Sequence, residues 1–341
     1  MERKELVALL EMLKPALSDT NLVDVFTCYA FNQKTVRAYS GSIGIVASCG
    51  VGDHPFAVEG KTLLGLLQNS SAEEVEIAAK DELVIKAGRS VFKMPYFNEG
   101  EFIFEEPEGT WDATLKVEEI ISSLESARAT SSTDNALPAL MGVTLNLDEK
   151  AAYSCNGDVI TKAELTGSKG KGAFTAPNGF CDALIKIAGD LGTEGTLTIN
   201  NEWICAKLAA GVTVYGRMMP NPDLDYEDAI TSSLNGLDKL YPIPLGLNEA
   251  IARARVVADR ESAKTTFDLK GGKLKLHTKT HLGVVEDEVS FRGHPDVQAG
   301  VHPSLVHRSL TICTKMAILE NCTTYQNDDG TVMQVISNIG E

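Results

Sequence analysis

Residues 85–97 read IKAGRSVFKMPYF: apolar and basic positions interleave through Lys86, Arg89 and Lys93, and the phrase stops at Met94-Pro95. The alternation is that of a half-buried strand. The three cations raise a second reading, a ribbon that grips phosphates. Recurrence decides between them. VTVYGRMMP (212–220) and TVMQVIS (331–337) close two later stretches in the same way, and the last carries no basic residue. The phrase is therefore read as a closing strand whose alternate residues face water, in preference to a nucleic-acid grip.

Working outward from these endings, the chain repeats itself. ELVALLEMLKPAL (5–17) has helical apolar spacing. An alternating segment runs from Asp24 through Phe26, Tyr29 and Val36 to Val46, with Gly41 and Gly44 as turn punctuation. GKTLLGLLQNS (60–70) is a short second helix, and VEIAAKDELVIKAG with RSVFKMPYF supplies two closing strands. The order returns as helix KVEEIISSLESARA (116–129), strands in 140–165 with a turn at Asp148-Glu149-Lys150, helix NGFCDALIKIAGD (178–190) and strands in 195–220. A third copy comprises helix 247–261, strands TTFDLKGGKLKLHTKT (265–280) with a Gly271-Gly272 hairpin, helix HPSLVHRSLTIC (302–313) and strands in 316–337. Helices apolar on one face and alternating strands imply an α+β fold, antiparallel sheets covered on one side by helices. Linkers are expected near 98–112 and 221–245, giving three domains at 1–110, 111–222 and 223–341.

The 341 residues, 23% charged and 43% hydrophobic, describe a folded chain of two or three domains. Seven cysteines, at 28, 49, 155, 181, 205, 313 and 322, stand singly without a C-x-x-C pair, so they read as buried thiols of a reducing compartment. No apolar run approaches the roughly 18 residues of a membrane span, so the chain is expected to be neither exported nor embedded. Its net charge of −16 argues against ordinary DNA affinity, which needs clustered Lys and Arg. Contact with DNA would have to be local or topological.

Other candidate motifs have plain readings. GSKGKG (167–172) lacks P-loop spacing and reads as a hairpin tip. His302 and His307, five apart on a helix, point to different faces. His277 and His281 share a strand face but lack a further ligand, so no metal site is expected. Glu105-Glu106 and Glu286-Asp287-Glu288 sit in charged surface runs and read as solvated. No dinucleotide fingerprint, zinc-protease or nucleophile-elbow motif occurs, so no catalytic residues and no cofactor are expected. Each of the six helices carries a cation, among Lys14, Lys61, Arg128, Lys186, Arg253, Arg255 and Arg308. Helix solubility accounts for any one of them, and the set matters only if all six helices face one space.

The triplicated plan resembles the beta subunit of bacterial DNA polymerase III, the sliding clamp. MLKPAL (12–17), VEGKTLLGLL (58–67) and the closing strands through residue 97 resemble the family's first domain. ALPALMGVTLNLDEKAAYSCNGDVITKAEL (136–165) resembles its second, with Cys155-Asn156-Gly157 at a Thr-Asp-Gly position. AIARARVVADRE (250–261) resembles a helix of its third. The resemblance spans nearly the whole chain and rests on the order of the phrases. It implies a homodimer closed head to tail into a ring of six domains, with helices lining a hole around duplex DNA and sheets outside. An acidic rim and a cationic lumen would then let the ring slide, retention coming from closure rather than affinity. The implied partners are double-stranded DNA, DNA polymerase and clamp loader, and the implied location is the cytoplasm, at the nucleoid.

The resemblance also implies a groove for short linear motifs, at Leu140, Gly157, Ile160, Leu224, Ala229, Thr324, Val335 and Ile336. Several phrases depart from the family. No clear strand precedes Glu5. Asp134, Pro138 and Ala139 stand where polar or aromatic groups meet DNA, and Asp223-Leu224-Asp225-Tyr226 replaces Phe-Pro-Asp-Tyr. The ending SNIGE differs from the family's Met-Pro-x-Arg-Leu type. Such drift suits a divergent clamp of the kind a phage carries with its own polymerase. Two rivals remain: a monomeric scaffold that kept the fold, and a hydrolase using the His277/His281 face.

Overall fold

The computed structural model describes residues 1–20, 22–32, 34–51, 54–79, 81–167, 170–258 and 264–340. Asp259, Arg260 and Glu261 of the expected third-copy helix, Ser168 and Lys169 of the hairpin tip, Lys80 of the first closing strand and Glu341 of the terminal phrase lie outside the described residues.

Elements follow in chain order as α1 (Arg3–Leu13), β1 (Cys28–Phe31), β2 (Thr35–Tyr39), β3 (Ile43–Ser48), β4 (Phe56–Glu59), α2 (Gly60–Gln68), β5 (Val75–Ala79), β6 (Leu83–Ala87), β7 (Ser90–Met94) and β8 (Phe97–Asn98). Then come β9 (Ala113–Lys116), α3 (Val117–Arg128), β10 (Gly142–Asn146), β11 (Ala151–Cys155), β12 (Val159–Glu164), β13 (Ala173–Pro177), α4 (Asn178–Leu191), β14 (Gly195–Ile199), β15 (Trp203–Leu208) and β16 (Val212–Arg217). The last third holds α5 (Tyr226–Ser233), β17 (Tyr241–Pro242), α6 (Leu247–Val257), β18 (Thr265–Lys270), β19 (Lys273–Thr280), β20 (Gly283–Ser290), β21 (Val297–Val301), α7 (Pro303–Ile312), β22 (Lys315–Ile318), β23 (Cys322–Gln326) and β24 (Val332–Ser337). The order helix, four strands, helix, three strands thus occurs three times.

The chain forms two compact units, one of residues Met1–Ile121 with Gly167–Met219, the other of Ser122–Thr166 with Pro220–Glu341. In the first, nine antiparallel strands run β8-β4-β1-β2-β3-β16-β15-β14-β9, beside a three-stranded sheet β5-β6-β7. Here β3 joins β16 with Ile45 opposite Val214. In the second, antiparallel strands run β10-β11-β12-β24-β23-β22-β17, beside a four-stranded sheet β20-β19-β18-β21. There β12 joins β24 with Ile160 opposite Val335. The cut between units does not follow the sequence copies, because each long sheet takes part of its strands from one copy and part from another.

Helices cover these sheets through stripes legible in the sequence. Leu6, Leu10 and Leu13 of α1 recur at helical spacing and are fully buried, as are Leu63 and Leu67 of α2. The buried Tyr29 of β1 donates its hydroxyl to Leu10 O at 2.7 Å, tying strand to helix. In the second unit α6 and α7 cover a core of Leu247, Ile251, Phe267, Leu274 and Ile336. The β18–β19 turn is the expected one, with Gly271 at φ +57° and Gly272 at φ +76°. All seven cysteines are buried free thiols, and burial pushes Cys49 up to about 11.

Several local expectations change. VEIAAKDELVIKAG is two strands, β5 and β6, not one. Gly44 is no turn: it lies inside β3, and a Cβ there would meet the Phe104 ring at 2.7 Å. The segment near 98–112 is not wholly solvated, since Phe102 and Phe104 are buried, Phe104 stacks on Tyr39 at 4.7 Å and Glu106 accepts a 2.7 Å bond from Tyr215. The stretch 221–245 contains a helix, α5. Glu286, Asp287 and Glu288 lie on the edge strand β20, where Glu286 and Glu288 keep the expected exposure. Ahead of α1, where no clear strand is expected, Glu2 forms a single bridge to Glu74 and Arg3 N donates to Glu73 O at 2.8 Å. This bridge takes the place that β9 holds beside β14 and β17 holds beside β22.

Helix α4 meets β16 where Gly216 leaves room: a Cβ there would lie 2.8 Å from Phe180 Cβ, close to the helix backbone. Gly216→Ala is expected to cost about 1–3 kcal/mol by overpacking. Urea unfolding read by the fluorescence of Trp111 and Trp203, both in the first unit, measures this directly.

Candidate partner groove and helix cations

Register places the groove candidates. Residues directly opposed in an antiparallel ladder share a sheet face, so Cys155, Ile160, Val335, Thr324 and Ala317 form one row across β11, β12, β24, β23 and β22. Leu140, Ile160, Leu224 and Val335 meet in one apolar cluster with Tyr153, Tyr226 and Ile230. Ile336 does not join them. One residue along β24 it turns to the opposite face and is fully buried with Val159 and Ile318 beneath α6 and α7. Thr324 does share the groove face, yet it is fully buried and its Oγ1 has no hydrogen-bond partner. Ala229 is half-buried on α5 beside Ile230, outside the cluster.

Gly157 turns the chain between β11 and β12 at φ +98°, with Asn156 Oδ1 accepting from the backbone of Asp158 and Val159. A Cβ on Gly157 would sit 3.8 Å from Leu137 Cδ1, so Leu137, 38% exposed, overhangs this turn. Sequence reasoning passed over Met333, Leu319 and Leu234, which pack on the same cluster, and Leu137, which lies beside the Gly157 turn. Only Met333 had a signal, its two-residue spacing from Val335.

One wall is α5, laid on the sheet by aromatic stacking and a carboxylate hook. Tyr226 stacks on Tyr153 with ring centroids 4.9 Å apart. Asp225 caps the helix by accepting from Asp228 N at 2.9 Å. Glu227 accepts from both Tyr153 Oη and Lys162 Nζ. Burial alone would raise the Glu227 carboxyl, but the bonds from Lys162 and Tyr153 outweigh it and hold the group below its usual range. Burial and the same carboxylate push the Tyr153 hydroxyl up.

The helix cations fall into two groups. Lys61 pairs with Asp19 at 3.2 Å, Arg128 donates to Ser131 Oγ at 3.0 Å, and Arg253 forks onto Asp287 at 3.0 and 2.7 Å. Lys14, Lys186, Arg255 and Arg308 are exposed. Lys14 lies just past α1 in a short 3-10 turn. The six repeat helices hold eight Lys and Arg and eight Asp and Glu, while the chain carries −16. The acidic excess therefore sits on strands, loops and α5.

The histidine face is not a shared one. His277 lies on β19 and pairs with Glu286 at 3.1 Å, whereas His281 falls beyond the strand, in the turn before β20. Around His277 the outer face of β18–β21 forms an open concavity of about 740 Å³ lined by Thr266, Asp268, Lys275, Glu286 and Glu288. Among the described residues no group of three His, Cys, Asp or Glu could hold a metal ion, and no helix is long and apolar enough to cross a membrane.

Comparison with solved structures places this arrangement. A DnaN sliding clamp from Bartonella birtlesii bound to griselimycin superposes with a TM-score of 0.89 at 13% identity, covering 100% of this chain and 99% of that one. The fold is that of a bacterial sliding clamp. The DNA polymerase III beta subunit of Thermotoga maritima gives 0.86 at 17% identity over 100% and 98% of the two chains, and the sliding clamp of Pseudomonas aeruginosa 0.86 at 16% over 100% and 99%. No family model and no curated protein matches the sequence. The clamp fold is thus kept while the wording has drifted, which is what burial periodicity permits: apolar identity at a core position is interchangeable as long as volume and spacing persist.

The carboxylate hook makes a testable claim on the groove wall. Glu227→Gln should loosen α5 and cost about 1 kcal/mol, discounted because both ends of the ion pair are about a third exposed. Since the folded carboxyl lies below its ordinary value, this contribution is complete at neutral pH and is lost as pH falls through the folded value. Hydrogen exchange of α5 amides at neutral and acid pH reads it: wild type should approach the variant in acid.

Proposed function

We propose that this chain is a sliding clamp: a non-catalytic processivity factor that closes as a homodimer around duplex DNA and tethers a DNA polymerase. It would act through three domains at 1–110, 111–222 and 223–341, with a clamp loader as the second protein partner, in the cytoplasm at the nucleoid. The observation that carries this reading is a regularity in strand pairing. Within the first unit the third strand of one copy's four-strand set, β3, pairs with the last strand of a three-strand set, β16; within the second unit β12 pairs with β24 in the same way. Among the described residues the equivalent pair, β20 and β7, is left as two free edges.

Free edges of this length invite another strand. If β7 of one copy takes β20 of a second, the same contact made twice closes a two-fold ring. Charge suits it: Arg89 precedes β7 and Lys93 lies within it, whereas β20 carries Glu286, Asp287 and Glu288. The basic phrase at 85–97 is then a seam element rather than a DNA grip. Near-neutral helices within a strongly acidic chain support a lumen that tolerates phosphates while the outside repels them.

The decisive experiment is light scattering with retention on DNA. A dimer of the 36.6 kDa chain that stays on nicked circles and runs off linear DNA is expected. A monomer that leaves both alike would turn the conclusion to the protein-binding scaffold. Glu286→Lys with Glu288→Lys should weaken the dimer about ten-fold or more, and adding Arg89→Glu with Lys93→Glu should restore it, as a charge swap requires.

For the lumen, Lys186→Glu or Arg255→Glu is expected to slow loading and lower its salt dependence with the dimer intact. Arg253→Glu is the less clean choice, because it sets a carboxylate against Asp287. Loading kinetics over a salt series, compared with wild type, carry the measurement.

A further inference from the structure

The groove in the second unit is apolar at its floor and predominantly acidic at its rim. The segments framing it, residues 131–140, 155–162 and 221–234, carry exposed carboxylates at Asp134, Asp158, Asp223, Asp225 and Asp228. Lys162, the one cation within them, is already engaged by Glu227, and Arg128 reaches the first of them through Ser131 Oγ at 3.0 Å. Two of the carboxylates spend an oxygen locally, Asp134 on Ala136 N and Asp225 on Asp228 N, which fixes their position at the rim and leaves their charge in place. The floor presents Leu140, Ile160 and Leu224, all half-buried, with Leu137 overhanging the Gly157 turn. It also holds an unmet polar group, the fully buried Thr324 Oγ1 on the face shared by Ile160 and Val335.

We infer that this groove selects a partner peptide whose apolar anchors are flanked by lysine or arginine. The inference rests on the reading of the groove as the partner-docking site and adds the chemistry of the occupant. An apolar floor supplies affinity to any peptide with suitable anchors, but it cannot reject an acidic flank. The rim can. Like charges brought within a Debye length of about 8 Å repel, and opposite charges both steer the encounter and slow the departure. Specificity then resides in repulsion as much as attraction. The same rim keeps nucleic acid off this face, so that the partner and the DNA do not compete for it.

The test uses the full chain and two fluorescein-labelled probes of identical anchors, Lys-Lys-Ser-Leu-Leu-Phe and Glu-Glu-Ser-Leu-Leu-Phe, followed by anisotropy. The lysine probe is expected to bind about ten-fold tighter at about 50 mM salt, with the gap nearly closed at about 1 M. Asp158→Lys with Asp228→Lys, both at exposed positions, should reverse the preference. Leu137→Asp, also exposed, should weaken both probes about equally. Equal affinities for the two probes, or a preference for the acidic one, with Leu137→Asp still weakening binding, would overturn charge selection and leave the docking site standing. Binding of neither probe, or binding indifferent to Leu137→Asp, would overturn the docking site and this inference together. Dimer closure and retention on circular DNA are read separately and stand or fall on their own.

Discussion

The architecture depends on strands from different sequence copies completing one another's sheets. Neither the four-strand set nor the three-strand set of a copy is wide enough to bury both the helices above it and its own edge. Joining Ile45 to Val214 and Ile160 to Val335 removes two edges at once and makes continuous ladders on which helices can lie. The compact units therefore cross the copies instead of coinciding with them. Whatever completes β7 and β20 must come from elsewhere, and this lends the proposed homodimer its physical motive.

The groove follows from the second of these joints. Because β12 and β24 meet in register, their residues on the α5 side form a mostly apolar row that no single copy contains. A short helix from the expected linker then covers part of it, fixed by Tyr226 on Tyr153 and by Glu227 between two donors. The covering is partial, which leaves Leu140, Ile160 and Leu224 half-buried.

Helices with clear stripes, such as Leu6, Leu10 and Leu13, and glycine hairpins such as Gly271-Gly272 were legible in the sequence because each is set by local spacing and backbone preference. What escaped reading was set by long-range contact. Gly44 looks like a turn residue and is instead a strand residue kept small by the Phe104 ring, from a segment whose acidity suggested solvent. Helix α5 is short, acidic and weakly apolar, and its place is secured by Tyr153 and Lys162, far away in sequence. Among the groove candidates, a one-residue step separates Val335 from Ile336, and only the register of β24 shows that they face opposite ways. Periodicity could reveal that β24 has two faces, but not which one a partner would see.

The pairing of Val46 with Thr213 has a consequence for how the protein is made. At ribosomal speeds of about 5–20 residues per second, β3 waits on the order of ten seconds or more for its neighbour to emerge. Through that interval the nascent first unit exposes a naked apolar ladder, open to mispairing with other chains on the same message. High contact order thus makes biosynthesis, rather than the finished molecule, the vulnerable stage, and a reason for such a chain to depend on chaperones while it is being translated.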